Sequence, residues 1–462
     1  MQGLKRIAAF KKAKFIQRKK NLEKKKLEAE KELNNERQSN DSLSSMDDEE
    51  QIDLVTKLVN NRYLIIKFLG RGSYSKVWMA YDFSDKRYVA LKIFNPEDYD
   101  DSLDEIEIMK TLGNNNQYIV KMYDHFDYYV EDYKYKQRCI VYEFLGTCLL
   151  DLLSPFTNQL SIENIKHIVR KMLIAMNNYY EKGIIHNDVK LENMMTRCFS
   201  KELKKYIEWF SGLNVDQEYN NLVLKELPDN FQNLSDEKKK KLRRKIKHRV
   251  LPNYIETLKD SILTYIVDPE LNTGEDTSQE LLSNLVVIFN DFGNSCSVDN
   301  MYDDNIQHRA YRPPENVIGN GFCQKSDVWS LGCIIYEIIT DRVLFNVVGN
   351  RDIDRDRNHL SLMYQFIGVM PENMTNECGK SSELFGRESR ILYVDEVSYS
   401  GLENEIKQYR QDLSDTQINE ICDFLRLLLR YDPSERLSPN ELLQQKWLKE
   451  NCDTALHTIM AS

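Results

Sequence analysis

The stretch Ile184–Asn193 of the 462-residue chain combines the side-chain types that most enzymes need. Two apolar residues open it, and the polar loop that follows carries an acid at Asp188, a base at Lys190 and an amide at Asn193. This set is typical of a reaction centre held at the end of a buried strand. Loops rich in Asn and Asp are also ordinary turn material, so the rest of the chain must supply the other parts.

A glycine-rich turn is predicted between two strands within Tyr63–Asp82. Glycines let the backbone approach phosphate oxygens closely and leave amide groups free to bind them. Two strands joined by glycine can also be a plain hairpin. The residues that would surround a bound phosphate are Leu69, Gly70, Arg71, Gly72, Ser73, Tyr74, Ser75, Lys76 and Val77.

The next predicted strand, Tyr88–Phe94, places Lys92 opposite its apolar residues. Side chains two positions apart share a face of a strand, so Lys92 lies on the same face as Ala90. A lone Lys there is also compatible with plain solvation. The other face carries the residues expected in the core, Val89, Leu91 and Ile93.

Helical spacing of apolar residues follows in Ser102–Gly113, and Glu105 lies off that apolar stripe. Glu105 is therefore not committed to the core, and the family resemblance described below implies that it forms an ion pair with Lys92. Ser102-x-x-Glu105 also fits a capping box, in which Glu105 serves only its own helix. The order of glycine turn, Lys and Glu favours the ion pair.

A second apolar run, Leu285–Phe289, ends at Asp291-Phe292-Gly293 and offers a carboxylate beside the polar loop. About ninety residues separate it from Met195. Within them Lys238–Arg249 is strongly basic, which is most often a solvated helix; a nuclear-import signal or a docking element is the alternative.

Taken in order, these segments resemble the motifs of eukaryotic protein kinases. The remaining matches are the hinge-like Tyr142–Gly146, the Glu of a Pro-Pro-Glu at Glu315, the Asp of Ser-Asp-Val-Trp at Asp327, and Arg436. The resemblance implies an α+β, bilobal kinase fold with a small β-rich N-lobe and a larger helical C-lobe. It also implies a long insert after the catalytic loop and a pair between Glu315 and Arg436.

The resemblance assigns roles to the residues of the reaction centre. Asp188 would accept the substrate hydroxyl proton, Lys190 would neutralise the transferring phosphate, and Asn193 and Asp291 would hold Mg²⁺. Lys92, paired with Glu105, would contact the phosphates of ATP. The other residues assigned to the nucleotide pocket are Ala90, the backbone of Glu143 and Leu145, and Tyr142 at its back.

Three features resemble the SR-protein kinases of the CMGC group more closely. The glycine turn ends in Ser-x-Val, the activation segment reads Asp-Phe-Gly-Asn-Ser-Cys through Ile-Gln-His-Arg-Ala-Tyr-Arg, and a long insert splits the domain. Asn187 replaces the Arg that reads a phosphorylated activation loop, which implies activity without that phosphorylation. His308 replaces a Thr that usually bonds the catalytic Asp and Lys, a change that affects activity more than fold.

The resemblance and the composition together predict four segments. We expect a basic and then acidic extension at residues 1–56, helical or disordered, a kinase domain at 63–448 with an insert at 199–284, and a tail at 449–462. The extension is most simply a solvated segment; a targeting or nucleic-acid-binding arm is the alternative. High Lys, Asn, Ile and Tyr usage suggests an AT-rich genome such as that of a large DNA virus.

Charge and cysteine content restrict the partners and the compartment. The chain has a formal charge of −10, yet residues 1–37 hold 13 Lys/Arg against 5 Glu, so the rest of the body is acidic apart from the basic run. An acidic body favours basic protein partners and disfavours nucleic acid and membranes. Nine scattered Cys without a Cys-x-x-Cys pair, no signal peptide and no transmembrane run predict an intracellular protein, in the cytoplasm or nucleus.

The leading hypothesis is a serine/threonine protein kinase that uses ATP and Mg²⁺, acting on basic, Arg/Ser-rich proteins. A pseudokinase scaffold is the alternative from another class, although the presence of Lys92, Asp188 and Asp291 argues against it. A small-molecule kinase on a similar fold is a third, and the C-lobe motifs around Glu315 and Arg436 argue against that one.

Overall fold

The computed structural model describes residues 54–72, 74–129, 136–156, 160–266, 285–301 and 306–449. The predictions made for Ser73, for most of the N-terminal extension and for the C-terminal tail lie outside these residues. All eight cysteines in the described ranges are free thiols. None of the helices in the described ranges combines the length and apolar character needed to cross a membrane.

The N-lobe is built on one six-stranded sheet in the order β1-β2-β3-β4-β6-β5, with antiparallel neighbours throughout. β1 begins before Tyr63, the residue at which the kinase domain was predicted to start. The strands are β1 (Leu58–Val59), β2 (Tyr63–Arg71), β3 (Ser75–Asp82), β4 (Arg87–Phe94), β5 (Met122–Tyr129) and β6 (Lys136–Glu143).

The register of the sheet brings the predicted nucleotide-pocket residues together. Lys92 on β4 pairs with Val77 on β3, and Ala90 pairs with Tyr142 on β6. Alternation along β4 buries its apolar residues, as expected, with Val89 and Leu91 fully buried in a hydrophobic cluster. The opposite face of β4 is therefore the one that carries Lys92.

Helix α1 (Asp101–Leu112) lies between β4 and β5 in the chain and presents Glu105 to the sheet. The alternative capping box does not form, because Ser102 donates its hydroxyl to the carbonyl of Tyr99 and Glu105 binds Lys92, as the favoured prediction had it. Gly113, with a φ of +68°, ends the helix in the conformation that glycine favours.

The C-lobe is mostly helical, with α3 and α8 at its centre. Its helices are α2 (Leu149–Leu153), α3 (Ile162–Tyr180), α7 (Pro314–Val317), α8 (Ser326–Thr340), α9 (Asp352–Phe366), α10 (Glu372–Asn376), α11 (Ser381–Leu384), α12 (Gly401–Tyr409), α13 (Asp415–Leu428), α14 (Pro439–Leu443) and α15 (Lys446–Lys449). Four two-residue strands flank the cleft: β7 (Ile184–Ile185), β8 (Met194–Met195), β9 (Ile288–Phe289) and β10 (Cys296–Ser297).

Sequence patterning accounts for the two central helices. Ser161 caps α3 by accepting a hydrogen bond from the amide of Asn164 at 3.2 Å, and the helix delivers the chain through Gly183 into β7. α8 is apolar on nearly every side, and every residue of it except Glu337 is buried. These two buried helices support the polar loop that follows β7.

The predicted insert folds onto the N-lobe. Its described part forms α4 (Lys201–Gly212), α5 (Val215–Lys225) and α6 (Asp236–Ile266). The hydroxyl of Tyr206 donates to the carbonyl of Ile66 at 2.6 Å, and the ring of Phe210 lies 5.5 Å from that of Tyr81. One hydrophobic cluster joins these helices to β2, β3 and β4.

The basic run Lys238–Arg249 lies in the first half of α6, with nearly all of its charged side chains exposed. Ile246 is its only fully buried residue and faces the hydrophobic cluster. The run is thus the outer face of a helix whose other face packs on the lobe.

Candidate active site

A buried cluster of one ammonium group and two carboxylates lies where β4, α1 and β9 meet. The Lys92 Nζ lies 2.9 and 2.8 Å from the two carboxylate oxygens of Glu105 and 2.7 Å from the Oδ1 of Asp291. Lys92 and Glu105 are both buried, whereas the Asp291 side chain remains partly exposed toward the cleft. The predicted ion pair therefore forms, and Asp291 joins it.

The charges of this cluster stabilise one another. Burial alone lowers the pKa of the Lys92 ammonium, but the Asp291 and Glu105 carboxylates outweigh it, so the pKa is raised. The positive charge of Lys92 lowers the pKa of Asp291 below its usual range. Lys92 is thus a permanent cation and Asp291 a permanent anion at neutral pH.

The glycines around the cluster differ in how much space surrounds them. A Cβ at Gly293 would lie 3.1 Å from the Oε2 of Glu105 and 3.5 Å from the Nζ of Lys92, so a side chain there would crowd the ion pair. A Cβ at Gly70 would meet nothing within 4 Å, and neither Gly70 nor Gly72 has a positive φ. No described neighbour requires these two glycines, which suits a turn kept open for the close approach of a ligand.

The loop after β7 forms a second cluster. The Oδ2 of Asp188 accepts from the Nζ of Lys190 at 2.8 Å and from the amide Nδ2 of Asn193 at 2.9 Å. Burial lowers the pKa of Lys190, but the hydrogen bond and charge of Asp188 outweigh it and the pKa is raised. Asp291 contributes to the same rise. The amide of Asn290, the residue before Asp291, donates to the carbonyl of Asn193 at 2.9 Å, so the two clusters are neighbours in the cleft.

Asp327 at the start of α8 holds this loop from below. Its Oδ2 accepts from the backbone amide of His186 at 2.7 Å, and its Oδ1 accepts from that of Asn187 at 3.1 Å. Gln307 donates its Nε2 to the same Oδ1 at 2.8 Å and accepts the amide of Val189 at 2.9 Å. Burial raises the pKa of Asp327, so this carboxylate depends on these donors.

Asn187 and His308, the two departures from the kinase pattern, differ in their surroundings. Asn187 is buried with a φ of +62°, and its Nδ2 donates to the Asn294 carbonyl at 3.2 Å and to the Cys296 Sγ at 3.3 Å. It ties the catalytic loop to the start of the activation segment. His308 is exposed, with its ring 5.8 Å from that of Tyr311.

The segment after β6 runs against the chain that follows β8. The amide of Gly146 donates to the Thr196 carbonyl at 2.8 Å, and a Cβ at Gly146 would lie only 2.0 Å from the Cys198 carbonyl oxygen. Arg197 also bonds the Glu143 carboxylate at 2.9 Å. This close pairing, together with the pairing of Glu143 with Val89 on β4, fixes the segment Glu143–Gly146 whose backbone was predicted to bind the adenine edge.

The residues predicted to hold Mg²⁺ have suitable donor atoms. The amide nitrogen of Asn193 is bound to Asp188, which leaves its amide oxygen as the ligand atom. One carboxylate oxygen of Asp291 is bound to Lys92, and the other is available. Mg²⁺ is usually held by one or two such oxygens together with substrate phosphates, so the two residues fit it.

Several contributors to the site were not identified from the sequence. Asp327 was recognised only as part of a motif, because its partners are backbone amides about 140 residues away. Gln307, Glu337 and the hydroxyl of Tyr142 were missed for the same reason, since no local pattern identifies their partners. The pair predicted between Glu315 and Arg436 forms, with distances of 2.8 and 2.6 Å, and the structure shows that both side chains are buried.

Comparison with known proteins agrees with this geometry. The protein kinase domain family matches residues 63–206 and 280–448. Protein kinase dsk1 of Schizosaccharomyces pombe is 25% identical over 456 residues, covering 85% of this chain and 82% of dsk1. Serine/threonine-protein kinase SRPK of Physarum polycephalum is 24% identical over 405 residues, covering 86% of this chain and 88% of that protein.

A solved kinase domain aligns with a TM-score of 0.57 and 22% identity, covering 85% of this chain and 97% of that domain. This likeness shows the fold, which is the predicted bilobal arrangement of a β-rich N-lobe and a helical C-lobe. The family match spans more than half of the chain, which therefore belongs to the protein kinase family, as a serine/threonine kinase similar to the SR-protein kinases.

Proposed function

We propose that this chain transfers the γ-phosphoryl group of Mg²⁺-bound ATP to serine or threonine hydroxyls of basic proteins. The observation that carries the proposal is the joint presence, in one cleft, of the Lys92–Glu105–Asp291 cluster and the Asp188–Lys190–Asn193 cluster. A pseudokinase that had lost catalysis would have no need to retain all six side chains in hydrogen-bonded order.

The proposed mechanism is mainly positioning and charge stabilisation. Asp188 accepts the proton of the attacking hydroxyl, and Lys190, held 2.8 Å from it, stabilises the negative charge on the transferring group. Lys92 binds the phosphates of ATP from the other side of the cleft. Mg²⁺, held by Asn193 and Asp291, would neutralise phosphate charge when bound.

The nucleotide would lie between the two lobes. The turn around Gly70 and Gly72 lets the backbone come close to the phosphates, because a side chain is missing at both positions; the amide of Gly72 itself already donates to the carbonyl of Ser75 at 2.9 Å. Ala90 and Leu145 provide the apolar walls for the base. The backbone of Glu143 and Leu145 is the proposed partner of the adenine edge.

A preference for basic substrates is supported by an acidic pair beside the catalytic loop. Glu192 is exposed next to Asn193, and Glu337 of α8 accepts the hydroxyl of Tyr311 at 2.8 Å. Burial raises the pKa of Glu337, the hydrogen bond from Tyr311 opposes the rise, and the negative charge of Glu192 adds to it, so the two carboxylates repel each other. A substrate guanidinium group would relieve their mutual repulsion.

The two departures from the kinase pattern are compatible with activity. Lys190 binds Asp188 directly, so this contact does not need the Thr that His308 replaces. Asn187 joins the catalytic loop to the activation segment through neutral hydrogen bonds. Most kinases have an Arg at this position, which binds the phosphate of a phosphorylated activation segment. We therefore propose that the kinase is active without phosphorylation of its activation segment.

The test is a phosphotransfer assay with Mg-ATP and a peptide rich in Arg and Ser. We expect labelling by the unmodified protein and a fall of about 10²- to 10⁴-fold in kcat for Asp188→Ala, with ATP binding retained. Glu337→Gln should raise KM for the Arg peptide about tenfold and leave a peptide without Arg unaffected. If the unmodified protein binds ATP yet labels no peptide from a panel of basic and acidic sequences, the scaffold alternative replaces this proposal.

A further inference from the structure

The hydroxyl of Tyr142 makes a hydrogen bond that the predicted role of this residue does not require. Tyr142 is buried near the end of β6, where its ring closes the back of the predicted nucleotide pocket. Its hydroxyl donates to the Oε1 of Glu105 at 2.6 Å. Closing the pocket needs only the ring, so the hydroxyl must be explained separately.

The Glu105 carboxylate is held by donors from two different strands. Lys92 on β4 lies 2.9 and 2.8 Å from its two oxygens, and Tyr142 on β6 donates to one of them. β4 and β6 are hydrogen-bonded neighbours, with Ala90 opposite Tyr142. Helix α1 is thus fastened to the sheet at two adjacent points through one side chain.

The two donors are not equivalent. Lys92 also binds Asp291 at 2.7 Å, so its charge is shared between two carboxylates, and ATP phosphates would compete for it as well. Tyr142 donates its single proton to Glu105 alone. Burial and the nearby Glu105 charge raise the pKa of this phenol, so it is a neutral donor at neutral pH.

Packing by itself fixes α1 less strictly. Ile106 and Met109 bury their side chains beneath the helix, but apolar contacts are non-directional and tolerate small displacements. A hydrogen bond to a charged group is directional and contributes more than a neutral one. The direction of the Tyr142 bond therefore specifies where Glu105 must lie.

We propose that Tyr142 is a positioning residue that holds Glu105, and with it helix α1, in the place where Lys92 is paired and ready for ATP phosphates. This inference rests on the proposed kinase activity and adds a device that keeps the N-lobe in its active arrangement before any ligand or partner binds.

The test compares Tyr142→Phe with Tyr63→Phe. Phe keeps the ring and removes only the hydroxyl. Tyr63 is a matched control, because it is buried in the same sheet and its hydroxyl also meets a carboxylate, that of Asp124, at 3.2 Å. We expect kcat/KM for ATP to fall about tenfold in Tyr142→Phe and to change less than twofold in Tyr63→Phe.

A coupled variant separates positioning from general stability. If Tyr142 acts through Glu105, the effect of Tyr142→Phe disappears in a Glu105→Ala background, where less than a twofold change is expected. An equal tenfold fall in both backgrounds would overturn the inference.

Hydrogen exchange gives a readout that does not depend on catalysis. In Tyr142→Phe the amides of Asp101–Leu112 should exchange about tenfold faster, while the same helix in Tyr63→Phe exchanges as in the unmodified protein. Unchanged exchange and unchanged kcat/KM would refute the role of Tyr142 and leave the proposed function intact. An inactive unmodified protein would refute the proposed function, and the exchange rates would still decide whether Tyr142 holds α1.

Discussion

Asp327→Asn is the substitution that tests most directly whether the hydrogen bonds of Asp327 position the catalytic loop. The carboxylate is completely buried and accepts three hydrogen bonds, two from backbone amides of the loop and one from Gln307. Asn has nearly the same shape but keeps only one acceptor oxygen. Whichever way the amide is turned, its NH₂ group faces at least one N–H donor and that hydrogen bond is lost.

The size of the effect follows from this count. A hydrogen bond to a charged group contributes about 1.5–3 kcal/mol. If the active arrangement of the loop is destabilised by about 2 kcal/mol, the activation free energy rises by that amount and kcat falls roughly 30-fold. The free energy of unfolding should fall by a similar amount or less, because burial already makes the Asp327 charge costly and a neutral side chain removes that cost.

The assay is the initial rate of phosphotransfer, divided by the fraction of protein that binds ATP, together with urea unfolding. Asp412→Asn is the control. Asp412 holds the buried Arg410 through two bonds of 2.8 Å, and Arg410 bonds the carbonyl of Ile339 near the far end of α8. The control should lose stability and keep kcat. A kcat for Asp327→Asn within threefold of the unmodified protein would refute the reasoning.

Three further outcomes are expected. Arg436→Met leaves the buried Glu315 carboxylate without its ion-pair partner and should cost about 3–5 kcal/mol in urea unfolding; a loss below about 1 kcal/mol would contradict this. Phosphatase treatment should leave kcat unchanged within twofold, because Asn187 offers no cation to a phosphate, and a tenfold loss would show that a phosphate is needed. Burial raises the pKa of Glu337, so on lowering the pH this carboxylate is protonated, and loses its charge, at a higher pH than an ordinary Glu. KM for the Arg peptide should therefore increase as the pH is lowered through that higher pKa, while KM for a control peptide without Arg stays constant.

The parts of the site that the sequence predicted are those with a local signature. Lys92 was placed by the alternation of one strand, and Glu105 by its position off an apolar helical stripe. The ion pair between them was implied by the resemblance to protein kinases, which rests on the order of glycine turn, Lys and Glu. Asp188, Lys190 and Asn193 share one loop, and their spacing alone brings them together.

What the sequence could not predict depends on contacts between distant segments. The partners of Asp327 are backbone amides, which carry no sequence signal. The sequence does not distinguish Tyr142 from any other buried Tyr, because the hydrogen bond of its hydroxyl depends on where α1 lies. For residues 199–284 the sequence predicted only the basic run, and neither α4 nor α5. Many surfaces of a folded domain are apolar enough to receive such helices, so the place of the insert on the N-lobe was not predicted either.

The packing of the insert on the N-lobe has a consequence for synthesis of the chain. Tyr206 contacts Ile66, 140 positions earlier in the chain, and Tyr254 contacts Phe83 across a longer separation still. When the strands of the sheet have left the ribosome, the face that α4–α6 cover is still bare, and an exposed apolar sheet face invites aggregation. A nascent chain of this kinase should therefore depend on chaperones until α6 has emerged, and a fragment ending at Glu143 should be insoluble when expressed alone.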